Sequence, residues 1–364
     1  MNRRSVSIRG LLCFILMMFL IISGCGGGAS SSDGGGSETT AFAQSDLAAT
    51  WDVHMLKAGS SSSWWRGTVT LGASGNLTAS DCYENSVSVS CPAAGTIVWT
   101  INTSTGVITE SGSGSNADNH YTMASDKNFI VGTQHSIGTT EPALLIAQKK
   151  GGSYAAGDIQ GKTLVFHALR VGKDDTWIHG AGDTNGSGLL SRSWSDGLGG
   201  SAGYESSGKT LAVDTSGIVT MNGESTAQGF MSPDKKTVVM TFGDASQGYH
   251  LMIIQITNGQ TGMSTSQVAG TSYGHELVVG ASPAPFWAHE TISATTGGSM
   301  SYSGWVCSNN LISAPTAETI AIGSTGNATI SGTDFDGQAS YDGTFLVGTQ
   351  TPYTSIYSLM VITR

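Results

Sequence analysis

Positive charge is what this chain has least of. Its 364 residues carry 16 Lys and Arg against 26 Asp and Glu, a formal net charge of −10, and no basic stripe interrupts the deficit. Such a surface repels phosphate backbones and anionic headgroups, which excludes nucleic acid and an anionic membrane face as main partners. Long apolar runs are missing too. The longest, Leu11 to Ile22, falls well short of the roughly 20 residues with which a helix crosses a bilayer. No segment sustains a helical apolar period, so helices are excluded as the main element. Cysteine is sparse, five in all, and the absence of CxxCH excludes covalent c-type haem.

The amino terminus supplies the first positive signal. MNRRSVSIRG carries three arginines and is followed by the short apolar run and then Ser23, Gly24 and Cys25, the order of an export signal. "IISGC" resembles the lipobox of bacterial lipoproteins. The resemblance implies that residues 1–24 are a signal peptide and that Cys25 is acylated and becomes the mature N-terminus. Attachment to the membrane then rests on acyl chains alone. Gly26, rather than Asp, after the lipidated position implies release to the outer membrane, in either leaflet. The stretch GGGASSSDGGGSETTAFAQS has too little apolar surface to offset the entropy of ordering it, so residues 25–45 read as a flexible tether. Removing residues 1–24 takes away three basic residues and no acidic one, making the mature chain more acidic still.

Internal repetition dominates the rest. "MASDKNFIVGTQ…PALLIAQ", "MSPDKKTVVMTF…YHLMIIQI" and "ASYDGTFLVGTQ…YSLMVIT" end three units, and Trp64, Trp177 and Trp287 recur about every 110 residues. The units are residues 46–157, 158–266 and 267–364. Short runs rich in Val, Ile and Thr alternate with turn sequences such as SDKN, SPDKK and SYDG, giving about eight strands per unit and an all-β chain.

Eight antiparallel strands per unit are compatible with two propeller blades, one barrel or a sandwich. A barrel strand with one wet face should alternate, whereas "LMIIQI" and "SLMVIT" are apolar at consecutive positions and require cover on both faces. Stacked blades provide that cover, and "MSPDKKTVVMTF" resembles the SPDGK-type hairpins of six-bladed propellers. A six-bladed propeller is therefore the expectation. The alternative is three tandem eight-stranded barrels, because "DLAATW" resembles the opening strand of lipocalin-like barrels.

Cys82 and Cys91 enclose an eight-residue polar loop and in an oxidising envelope would form a local disulfide. Cys307 falls near the Cys82 position of the third unit, but Ala314 stands where its partner should be, so a buried thiol is expected. "GGSAG" matches the GxSxG nucleophile pattern without the strand-to-helix turn that pattern needs. "DTNGSG" at Asp183 and "DFDG" at Asp334 match fragments of calcium loops but lack the closing acid, and read as hairpin turns.

One constellation recurs. Around loops centred on Ser60, Lys173 and Ser282, an antiparallel hairpin sets His54 opposite Arg66, His167 opposite His179 and His275 opposite His289, with Trp64, Trp177 and Trp287 on the faces of the second members. These nine residues are the candidate ligand-binding set. The plain alternative is a polar pair and an indole satisfying one another in a duplicated hairpin. Arg66 cannot ligate, so a metal reading would be confined to the second and third units, with Asp174, Asp175 or Glu276 as added ligands; no metal, cofactor or catalytic residue is assigned. On a ring, the six paired side chains would line one channel and attract an anion. The expected protein is a monomeric, lipid-anchored, non-catalytic binding or scaffolding module of the cell envelope. It resembles uncharacterised repeat lipoproteins of Gram-negative bacteria, with an envelope protein, glycan or anionic small molecule as partner. An envelope hydrolase and a structural surface lipoprotein without ligand are the rival readings.

Overall fold

The computed structural model describes residues 41–113, 118–135, 141–280, 285–309, 315 and 317–364. The signal peptide, Cys25 and most of the tether lie outside the described residues, as does Ala314. Among those described, no helix is long and apolar enough to cross a membrane.

The described residues are all-β, and each unit is one antiparallel up-and-down sheet, closed into a barrel in the second and third units and barrel-like in the first, not a pair of blades. In the second unit eight strands, from Thr163–Val171 to Gly248–Ile256, form a closed barrel in which each strand pairs with its sequence neighbours and the first pairs with the last. The third unit, from Gly270–Gly280 to Ile356–Thr363, closes in the same way. The first has the same layout, but its fourth strand is interrupted. Where the second unit runs unbroken through Ser201–Val213, the first has only Val87–Ser88 and Val98–Ile101, with residues 89–97 leaving the sheet between them. Its two ends meet at an isolated Asn76–Val98 bridge and at the bond from Leu77 N to Ile97 O (3.0 Å).

The expected propeller is thus overturned in favour of its lipocalin-like alternative, met in full by two closed eight-stranded barrels and in part by the first unit, whose nine-stranded sheet is not closed by a continuous ladder. The last two strands of each unit are buried on both faces over most of their length, as their consecutive apolar residues require. What covers the second face is another barrel. Phe129, Val131, Leu144 and Ile146 of the first unit, Val239, Leu251 and Ile253 of the second, and Phe345, Val347, Leu359 and Val361 of the third point out of their own barrels into one shared core. The alternate residues of those strands fill the barrel interiors.

The packing is cyclic. The first two strands of each unit lie against the last two of the next, first on second, second on third, and third back on first. Residues 40–364 accordingly form one compact unit. Short helical turns open the units at Gln44–Leu47, Ala156–Asp158 and Thr265–Val268, each held by the side chain of Asp46, Asp158 or Gln267 accepting from a backbone N–H three residues back at 2.8 Å. Phe42, Tyr154 and Met263, just before these turns, are buried in the interior of the barrel that follows. Phe42 belongs to the segment read as tether, and Tyr154 to the end of the first repeat.

Candidate functional site

The hairpin registers place His54 opposite Arg66, His167 opposite His179 and His275 opposite His289. The three pairs do not line one channel. Because the first two strands of each barrel face the next barrel, each pair lies at a different junction. His54 Nδ1 meets Thr241 Oγ1 of the second unit (3.1 Å), and Trp64 Nε1 donates to Gly243 O there (3.1 Å). Arg66 stacks on Trp64 and Tyr83 and donates to Thr226 O (3.2 Å). At the second junction, His179 Nδ1 pairs with Asp336 Oδ1 of the third unit (2.9 Å), and Trp177 Nε1 donates to Thr351 Oγ1 (2.9 Å). At the third, His275 Nε2 meets Thr122 Oγ1 of the first unit (2.8 Å), while His289 and Trp287 pack on His120, ring centroids 4.9 and 5.0 Å away.

His54, His167 and His275 are fully buried, and burial drives their imidazoles below the ordinary histidine value, to about 3 for His54 and about 4 for His167. They are neutral near pH 7. The cationic, anion-attracting channel expected from a ring of such pairs is therefore absent on two counts: position and charge. Asp175 spends its carboxylate on Gly172 N (2.8 Å), and Glu276 accepts from Gln350 (3.0 Å), so neither serves the histidine pairs. What converges instead are the hairpin tips: Gly59 to Ser62, Gly172 to Asp175 and Gly280 border one shallow depression.

Cys82 and Cys91 are bonded, and Cys307 is buried with its thiol on Asn309 Oδ1 (3.5 Å). The disulfide ties down residues 89–93, which belong to the stretch that has left the sheet. Val89, Cys91 and Pro92 then form part of the wall of a cavity of about 520 Å³ inside the first barrel. This is a volume at which eight-stranded barrels hold one small ligand. The interrupted strand creates the space, and the staple keeps its wall in place.

The wall is mainly apolar: Met55, Trp65, Val69, Leu77, Trp99 and Leu145 all face the space. Tyr121 lies over Gly132, its cross-strand partner, where a Cβ would come within 1.9 Å of the ring; only glycine leaves room for the phenol to bend over the sheet. Its hydroxyl donates to Gln134 Oε1. Burial, and then the neighbouring Glu110, push the phenol well above its ordinary pKa, so it stays protonated. The acids are already engaged: Glu110 accepts from Trp99 Nε1 (3.0 Å), and Glu84 from Ser63 (2.7 Å) and Lys57 (3.5 Å). Asn119 is different. Its Oδ1 is buried at the cavity wall without a hydrogen-bond partner. Such an acceptor costs stability unless something in the cavity donates to it. The chamber suits an uncharged, mostly apolar molecule with one donor group.

None of the cavity residues belongs to the nine predicted ones. The sequence signal for them was the staple itself, present in one unit only, with Pro92 at a place where the second unit has continuous strand.

No protein-family model and no curated protein matches the chain. Two solved structures are similar over much of its length. One is a protein of unknown function of the DUF3598 family from Nostoc punctiforme, at 11% identity over 57% of this chain and 96% of that one, with a TM-score of 0.24. The other is the isotype 1 transferrin binding protein B of serogroup B Neisseria meningitidis, at 8% identity over 86% of this chain and 75% of that one, with a TM-score of 0.28. Likenesses this distant do not bear on what this chain binds.

Proposed function

We propose that the protein is a lipid-anchored, non-catalytic binding module of the cell envelope whose first barrel captures a small neutral amphipathic molecule. The second and third barrels act as its scaffold. The observation that carries this reading is the apolar cavity of about 520 Å³ with the unpartnered Asn119 Oδ1 at its wall. The interiors of the other two barrels are packed with their own side chains, among them Phe166, Leu190 and Met240 in the second and Ile292, Met300 and Phe335 in the third.

The probe N-phenyl-1-naphthylamine matches the inferred chemistry, being apolar with one N–H donor. Residues 41–364, one compact unit, are expected to bind it at one equivalent with a blue-shifted emission. Ala79→Trp, which fills the chamber from its wall, should remove saturable binding with the melting temperature little changed. Absence of saturable binding in the parent chain, or binding indifferent to Ala79→Trp, would refute the capture reading.

The anchor is tested separately. Cells fed a labelled fatty acid should label the wild-type chain, and Cys25→Ala should abolish the label and leave the protein soluble or uncleaved. An unlabelled wild-type chain refutes lipidation and leaves the cavity reading standing.

A further inference from the structure

In each barrel one residue stands at an equivalent place on the side that faces the preceding barrel. Gln228, Asp336 and His120 pair across their strands with Thr241, Thr349 and Thr133, and recur at equal sequence spacing. One fold position has thus been given three chemistries. The first junction has a guanidinium, which cannot ligate. At the third, His275 Nε2 is engaged by Thr122 and His289 Nδ1 by Gly274 O (3.1 Å). Only the second sets two imidazoles against a carboxylate.

There, nitrogen atoms of His167 and His179 and a carboxylate oxygen of Asp336 all lie within 4.8 Å of one another. His167 has no exposed surface, and neither of its ring nitrogens has a hydrogen-bond partner. A buried imidazole left this way is costly unless something occupies it. Thr349, across the strand from Asp336, also has a buried hydroxyl without a partner. The other two ligands are better placed for access. His179 is held edge-on by Trp177 at 4.9 Å, itself fixed by Thr351, and Asp336 is 55% exposed at the mouth. An ion can enter from solvent and meet a preformed base.

We propose that His167, His179 and Asp336 form a three-ligand site for zinc(II), or a similar borderline divalent ion, that ties the second barrel to the third. Two imidazoles and one carboxylate without sulfur match that class of ion, whereas calcium and magnesium take all-oxygen sets. The fourth position falls to water at the exposed mouth.

The test uses the full chain in detergent micelles, stripped with a chelator and dialysed against zinc chloride at pH 7.5. One equivalent of zinc is expected, with a higher melting temperature in zinc than in magnesium. Cobalt(II) in place of zinc should give the intense visible bands of a four-coordinate ion. Asp336→Asn, which keeps the side chain's size at an exposed position, should weaken zinc by more than about tenfold and remove the bands, as should His179→Gln. His120→Gln, at the third junction, should leave both readouts unchanged. Zinc binding no stronger in the parent than in Asp336→Asn, or binding lost in His120→Gln but kept in Asp336→Asn, would overturn the site.

Discussion

A fragment carrying the first barrel alone, residues 41–152, is expected not to melt as a cooperative monomer. All its strand pairings are made within the unit and its interior has its own core, so its topology by itself would allow it to fold. Its outer wall decides the matter. Leu56, Trp64, Phe129, Val131, Leu144 and Ile146 are all at most 2% exposed in the full chain and lie in the core shared with the other barrels. Exposing a buried side chain of this size costs about 1.5–3 kcal/mol. Six of them therefore cost on the order of 10 kcal/mol, comparable with the whole stability of a domain. The fragment should aggregate or form a fluctuating globule, seen as loss of near-ultraviolet dichroism and of a sharp thermal transition. Mixing it with a fragment of residues 153–364 should restore both, because the two fragments together supply all three junctions. A monomeric fragment with a steep melt would show that the shared core is dispensable.

Consecutive apolar residues in "LMIIQI" and "SLMVIT" report that both faces of a strand are dry, and both are. The pattern says nothing of what keeps them dry, and neighbouring blades and neighbouring barrels leave the same trace. Pairing within each hairpin was legible because a loop centre fixes which residues oppose one another, so the His54, His167 and His275 partners could be read directly. The third member of each cluster could not. Asp336 sits in "DFDG", where turn chemistry explains the aspartate without appeal to anything distant, and it comes from a different barrel. The equal spacing of His120, Gln228 and Asp336 was the available clue. The cavity was hidden for another reason: it arises from strand that is missing, residues 89–97, and a polar loop between two cysteines has the same sequence signature whether it covers a chamber or lies flat on the surface.

Mild acid is expected to destabilise the three-barrel ring strongly. His54, His167, His250, His275 and His289 are held below the ordinary value of 6.5, chiefly by burial, to about 3 for His54 and His250 and about 4 for His167 and His289. In the unfolded chain they titrate near 6.5. Below that pH the unfolded state takes up protons that the folded state refuses, so the stability these groups contribute is complete above about pH 6.5 and is lost as pH falls toward 4. Each contributes a slope of about 1.4 kcal/mol per pH unit. Raised carboxyls oppose the loss. Glu290, pushed to about 8 by burial and then by Glu276 and Glu318, and Asp126, pushed to about 6 by burial and by Asp342 and Asp234, bind protons in the folded state first. Glu276 and Asp52, raised chiefly by burial, act in the same direction. Five histidines outweigh these acids, leaving a net loss on the order of 5 kcal/mol between pH 6.5 and 4.5. Above about pH 7 the histidines are neutral in both states, while Glu290 keeps its proton in the folded chain and is ionised in the unfolded one, so stability declines as pH rises toward 8 and the maximum lies near pH 7. The melting temperature should fall by about 10 °C or more between pH 6.5 and 4.5 and by a smaller amount toward pH 8. His54→Gln, which leaves nothing to protonate at the first junction, should flatten the acid limb by about 1.4 kcal/mol per pH unit. A melting temperature that holds level or rises down to pH 4.5 would mean that the junction histidines accept protons in the folded state and that the barrels part at little cost.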